Sequence, residues 1–137
     1  MSASVHVRVR AGGEDYALPV ESVREVAELG DVTPVPGAAA AVLGVRNLRG
    51  QVLPVADLRA LLDLPRPEPA RRLVIVEGPA GQAGFAVDDV VGVTPLPALD
   101  EPVESPLLEG AAIVDGTLVA GMRVGALLRT VEGEAGP

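Results

Sequence analysis

LGVRNLRGQVLPVADLRALLDL, residues 43–64, decides how the rest of the chain reads. Residues 43–48 form a strand-like run that turns at Arg49-Gly50, and residues 51–56 form a second run. Two such runs joined by two residues, the second a glycine, predict a tight β-hairpin. Asp57 then caps a short apolar helix that stops at Pro65. Asn or Asp normally precedes the glycine of such a turn, because that position has positive φ. Here it is Arg49, a poor local choice. Either the turn is of another type, or Arg49 is kept for what its guanidinium does.

Working outward, VHVRVR (residues 5–10) alternates apolar with polar and predicts an amphipathic strand. A turn at Gly12-Gly13 leads into a second strand, YALPV, residues 16–20. Val20, Val23 and Val26 then stand three apart, as in one helical turn or a bent edge. A Pro- and Gly-broken connection precedes the hairpin, and RPEPARR, residues 66–72, reads as an extended linker between halves.

After that linker the pattern begins again. Val7, Val9 and Val20 recur as Val74, Val76 and Val87, and Gly44, Gly50 and Leu61-Leu62 recur as Gly110, Gly116 and Leu127-Leu128. VTPVP (residues 32–36) recurs as VTPLP (residues 93–97) with a smaller offset. That offset places extra residues near 27–31 in the first half and a longer loop, ALDEPVESPLLE, in the second. The expectation is an all-β chain of two pseudo-symmetric lobes, about 5–65 and about 70–130, each half building its own small barrel. The acidic loop, residues 98–109, is expected to be exposed and mobile, and residues 131–137 a disordered tail. Between the copies, Asn47 is matched by Ile113, Glu25 by Gly92, Asp57 by Arg123 and Arg49 by Asp115. Polar and charged groups thus stand in the first copy where ordinary scaffold residues stand in the second.

Composition narrows the function. At 137 residues the chain suits one compact domain with a real core, and with aromatics at only 1% that core must be Val, Leu and Ala. Net charge is −8 and all eleven basic residues are arginine, with no basic stripe to neutralise phosphates or an anionic lipid surface. Nucleic acid and direct membrane insertion are therefore not expected; no apolar run approaches the ~20 residues of a span. Without cysteine there is no disulfide framework or thiolate metal site, and a cytoplasmic location fits.

Candidates for chemistry are few. His6 lies on the outer alternation of the first strand and is expected to be solvated, without companion metal ligands. Asp88 and Asp89 are adjacent, so on a strand they face opposite sides and suit a turn or cap. A two-copy β domain bearing Asp brings the aspartic proteases to mind, but Asp115-Gly116-Thr117 has the wrong order and the first half offers Arg49-Gly50-Gln51. No nucleophile–His–acid set or phosphate-cradling loop stands out. No catalytic residue, cofactor or metal is expected. If residues 21–26 pack beside the hairpin, Glu25 and Arg49 can form a carboxylate–guanidinium pair.

GVRNLRGQVLPVADLRALL, residues 44–62, resembles the signature segment of the CheW-like coupling domain of bacterial chemotaxis systems. YALPVESVREV, GFAVDDVVGV and LLEGAAIVDGTLVAGMRVGALL extend the similarity over nearly the whole chain. The resemblance implies two side-by-side SH3-like five-stranded β-barrel lobes with short helices after the hairpins, strands being exchangeable between lobes. It implies a non-catalytic adaptor bridging the cytoplasmic tip of chemoreceptors and the regulatory domain of a CheA-type histidine kinase, recruited to receptor arrays. By resemblance Glu25 and Arg49 match the family's paired acid and arginine. Val23, Val26, Gly44 and Asn47, with the turn residue Gly50, match its partner-binding faces. The chain departs from the family pattern at Arg46, in a first strand without an aromatic, and at Arg123. A scaffold module for a non-chemotaxis kinase pathway or a regulatory oligomer is the alternative implied.

Overall fold

Ten strands and two short helices follow from these patterns in the computed structural model, which describes residues 4–79 and 81–132. The alternation of VHVRVR becomes β1 (Ser4–Ala11), and the Gly12-Gly13 turn carries it into β2 (Glu14–Pro19). Val20–Ser22 makes one 3-10 turn before β3 (Val23–Glu28). β4 (Val42–Leu48) and β5 (Gln51–Asp57) form the signature hairpin, followed by α1 (Leu58–Leu61). Asp57 caps α1 as expected, its carboxylate accepting from the Arg59 amide at 2.9 Å. The second half repeats the series as β6 (Arg72–Gly78), β7 (Gly81–Val87), β8 (Asp89–Leu96), β9 (Leu108–Val114), β10 (Thr117–Met122) and α2 (Val124–Arg129).

The strands pair into two five-stranded sheets, ordered β3-β6-β7-β5-β4 and β8-β1-β2-β10-β9. Exchanging each strand with the one five places away turns one order into the other. The irregularities repeat as well. A bulge leaves Arg24 unpaired in β3 and Val91 in β8, 67 residues apart, and another leaves Leu43 in β4 and Glu109 in β9, 66 apart. Bulges are specific local features, so their recurrence at offsets of 67 and 66 identifies a duplicated β unit.

Three expectations are corrected here. First, neither half builds its own barrel. The first lobe takes β3, β4 and β5 from the first half but β6 and β7 from the second; the other lobe takes β1 and β2 with β8, β9 and β10. Short parallel pairings join the contributions, Val55–Asp57 to Gly84–Ala86 and Val119–Gly121 to Asp15–Ala17. Second, the VTPVP/VTPLP match is accidental. Thr33 bridges to Val45, and its structural counterpart is Glu101, which bridges to Ala111; Thr94 lies inside β8 opposite His6. With that match removed, residues 29–41 and 97–107 are equivalent connections of nearly equal length. Third, the acidic loop exposes its carboxylates as expected, but its apolar residues anchor it to the fold. Leu99 sits against Ala17, Leu96 and Val119, while Val103 and Leu107 pack on the main core. The apolar residues between its carboxylates decide its position.

One apolar cluster runs through both lobes, joining Val7, Val9 and Leu18 of one sheet to Val74, Val76 and Phe85 of the other. Val131 is buried in it, against the expectation of a free tail from that residue; residues 133–137 lie outside the described residues. His6 is also buried rather than solvated, donating from Nδ1 to the Ser4 carbonyl at 3.0 Å.

Two buried charge clusters were not legible in the sequence. On the second lobe, Asp15 accepts from Arg8 Nε at 2.7 Å and from Arg10 Nε at 2.9 Å. Burial pushes the Asp15 carboxyl up, but the hydrogen bonds and positive charges of Arg10 and Arg8 outweigh it and hold it below its ordinary range. At the seam between lobes Arg59 is 3% exposed, and its fork meets both oxygens of buried Asp57, at 3.0 and 2.8 Å. Its Nη1 donates to the Glu68 carbonyl at 2.6 Å and to Asp88 at 2.9 Å. Asp88 in turn accepts from the Gly12 amide at 2.7 Å.

Two outcomes follow. Fragments cut within residues 66–68 should each be unfolded alone and regain β structure when mixed, since each sheet needs strands from both; far-UV circular dichroism before and after mixing checks this. Asp15, with its folded pKa below the unfolded value of about 4, contributes stability that is complete above pH 4 and lost as pH falls through the folded value. Asp15→Asn should therefore be less stable than the parent chain at pH 7, with the gap closing at pH 3, measured by denaturant midpoints.

Candidate functional site

Arg49 and Gly50 occupy the hairpin turn with φ of 52° and 86°, both in the left-handed region. Two positive φ values define the primed turn whose twist matches the flanking strands. The turn is thus the expected type, and Arg49 holds a backbone conformation that costs a non-glycine residue about 1 kcal/mol or more. Asp115 (φ 49°) and Gly116 (φ 80°) adopt the same geometry with the residue type that suits it. Asn47 supports the first turn, its Oδ1 accepting from the Gly50 amide at 2.9 Å.

Across from the turn lies Glu25, directly after the Arg24 bulge in β3. Bulges re-aim the side chains beside them. The Glu25 carboxylate accepts from Arg49 Nη2. Because β3 and β4 stand at opposite ends of the sheet order, this pair bridges the two edges of a sheet rolled into a barrel. The connection from β3 to β4 also pairs with the β4 edge, Thr33 and Val45 exchanging backbone bonds of 2.8 Å. The Arg49 side chain is 69% exposed and that of Glu25 26%, so the pair itself contributes at most about 1 kcal/mol. Arg24 adds a second exposed pair, to Glu77 at 3.2 Å, and Val52, opposite Asn47, is 51% exposed.

The structure thus brings Glu25, Asn47 and Arg49 to one accessible face. The other four candidates are placed by the fold. Val23 is half-buried and packs against the main core, and Val26 is half-buried beside Val74. Gly50 supplies the turn. Gly44 is buried with φ 146°, and a Cβ there would collide with the Thr33 carbonyl, so its role is to let two backbones approach.

The equivalent face of the second lobe has a different chemistry. Gly92 replaces Glu25, so no ion pair forms there. Ile113 and Leu118 stand directly opposite each other on β9 and β10 and are 61% and 50% exposed; on β8, Val91 and Val93 are 46% and 66% exposed. Ile113, read from its match with Asn47 as an ordinary scaffold residue, is therefore a large apolar side chain on the surface. The signal was present in the outward positions of the second hairpin, which are apolar where a solvated strand is polar. Among the described residues, no cluster of His, Asp or Glu could hold a metal ion, and no helix is long and apolar enough to cross a membrane.

Two joined SH3-like lobes, each presenting an exposed hairpin face of its own chemistry, define a protein-binding scaffold. The CheW-like domain model matches residues 6–132, and the chain belongs to the CheW-like family of scaffold and adaptor proteins. It is 31% identical over 139 residues to the probable chemotaxis protein CheW of Rhizobium etli, covering 94% of this chain and 90% of that protein. It is 36% identical over 104 residues to protein PilI of Pseudomonas aeruginosa, covering 74% and 58%. The fold is similar to the crystal structure of the scaffolding protein TtCheW from Thermoanaerobacter tengcongensis, with a TM-score of 0.79, 26% identity, and coverage of 89% and 85%.

Gly44→Ala should lower stability by about 2 kcal/mol or more, through overpacking and backbone strain. Arg49→Asn should leave stability within about 1 kcal/mol, since relief of the turn offsets loss of an exposed pair. Chemical denaturation of the two variants, side by side, separates the scaffold residue from the surface residue.

Proposed function

We propose that this chain is a non-catalytic adaptor that couples chemoreceptors to a CheA-type histidine kinase, with Glu25, Asn47 and Arg49 on one docking face. The supporting observation is the Arg49 turn. A residue held in an unfavourable backbone conformation, mostly exposed, and adding little to stability is retained for something outside the fold. The pair orients the guanidinium, the bulge and Asn47 fix both ends of it, and exposed Val52 supplies an apolar neighbour. Such a surface suits a partner with a complementary carboxylate or carbonyl. Ile113 and Leu118 give the second lobe an apolar face, so the two faces select different partners. The working location is the cytoplasmic side of receptor arrays, reached through the receptors rather than by insertion.

A second reading is a scaffold for a kinase pathway outside chemotaxis; it is kept because protein PilI, unlike other relatives, is not named as a chemotaxis protein. Capture of the bound kinase and receptor from the native cell separates the two.

The test is a double-mutant cycle with Glu25→Ala and Arg49→Ala, scored for stability and for binding of purified kinase regulatory domain and receptor fragment. Each single variant should stay within about 1 kcal/mol of the parent in stability while binding falls, and the double variant should bind no worse than the weaker single. Wild-type binding by both single variants refutes the site. Additive losses refute the coupling between the two residues.

A further inference from the structure

The face of the second hairpin that carries Ile113 and Leu118 is core at one end and open at the other. The two residues stand opposite each other, two positions along from the buried pair Ala111 and Ala120, and remain 61% and 50% exposed. Their counterparts in the first lobe are Asn47 and Val52. Two large apolar side chains side by side at a strand end that water reaches mark a surface for contact.

Three carboxylates border this surface. Glu101 exchanges backbone bonds of 2.9 Å with Ala111, which sets it on the Ala111–Ile113 face and diagonal to Ile113. Tyr16 of β2 lies beside Ala120 of β10, so Glu14, two residues back, shares the face beside Leu118. Asp115 stands in the turn between them. All three are exposed, and among the described residues none forms an ion pair. The duplicated unit supplies the comparison. The equivalent positions of the first lobe hold Thr33, Gly81 and Arg49, none of them acidic, and its exposed bulge residue Arg24 is Val91 in the second. The second face therefore has a carboxylate at every rim position and neither of the first lobe's exposed cations.

An apolar centre with a charged rim is the anatomy of a docking surface, and the sign of the rim selects the occupant. Arginine and lysine fit both parts, since their stems lie along apolar surface while their heads reach the carboxylates. A second copy of this chain fits less well, because its net charge of −8 opposes approach.

We infer that the Ile113–Leu118 face takes a protein surface on which large apolar side chains are flanked by arginine or lysine, with Glu14, Glu101 and Asp115 reading the flanking charge. The inference rests on the adaptor reading, which gives each lobe a partner of its own. An apolar surface with a neutral or acidic border packs on Ile113 and Leu118 equally well but leaves the three carboxylates desolvated and unmatched.

Two triple variants that change net charge equally provide the test. Glu14→Gln, Glu101→Gln and Asp115→Asn remove the rim, Asn being suited to the turn. Glu28→Gln, Asp63→Asn and Glu68→Gln remove exposed carboxylates elsewhere. Both triples and Ile113→Ser, shown to be folded by far-UV spectra, are titrated with purified kinase regulatory domain and with receptor fragment at low and high salt. One partner should lose about tenfold in affinity with Ile113→Ser; Leu118→Ser serves if that variant does not fold. The same partner should lose about fivefold or more with the rim variant, mainly in association rate, and less than about twofold with the control triple. Its salt dependence should flatten in the rim variant. A partner weakened by Ile113→Ser but bound alike by the two triples overturns the inference and leaves the adaptor reading standing. So does a concentration-dependent dimer that Ile113→Ser abolishes in sedimentation, which makes the face a contact between copies. If Ile113→Ser weakens neither partner, the face is unused and the inference falls, while the Glu25–Arg49 face is judged by its own cycle. Failure of the parent chain to bind either partner overturns both readings.

Discussion

Two three-residue parallel pairings carry the architecture, Val55–Asp57 beside Gly84–Ala86 and Val119–Gly121 beside Asp15–Ala17. Each joins a hairpin from one half of the chain to a hairpin from the other, and every remaining pairing is antiparallel. A parallel ladder needs a crossover between its strands; for β5 and β7 it is residues 58–80, and for β2 and β10 it is most of the protein. The seam, the shared apolar cluster and the ionic contacts of Arg59 all follow from strands crossing between lobes. The strands at these pairings are covered on both faces, which is why β5 and β7 are each buried along most of their length.

Duplication gave the chain two copies of one scaffold, and the differences between them show where other demands act. The same turn occurs twice with the same backbone. One copy uses Asp115, which suits the turn, and the other uses Arg49, which does not. The same bulge leaves Arg24 in one lobe and Val91 in the other. Beneath both differences the backbone is the same, down to the equivalent bridges Thr33–Val45 and Glu101–Ala111. The faces are free to diverge because the scaffold beneath them holds without them.

Short-range features were the legible ones. Alternation gave the strands, Arg49-Gly50 gave the hairpin, and Asp57 gave the start of α1, because each depends on neighbours a few residues away. The Glu25–Arg49 pairing could be proposed because the two copies differ at both positions. Strand partnership was not legible, since a repeat is equally compatible with self-contained and exchanged halves. The VTPVP match misled because Val, Pro and Gly are common enough here to align by chance, whereas the bulges that fix the true offset leave no mark in composition. Asp88, Arg59 and Asp15 look like ordinary surface charges in a sequence, because their partners lie on other elements. His6 failed for a related reason: its outward position on β1 is covered by chain that the alternation does not reveal.

The exchange of strands also sets when the chain can fold during its own synthesis. β2 must wait for β10, its neighbour in the sheet, whose paired residues lie about a hundred positions later. Until β8 emerges to pair with β1, β1 and β2 form an isolated hairpin, marginal in water at best. The first lobe can close once β7 has emerged, while the second stays open until β10 follows. Assembly is thus ordered, with the lobe that carries the signature hairpin forming first and serving as the surface on which the other is completed. Contacts of such long sequence separation slow folding, and the β2 edge stays unpaired until β10 emerges.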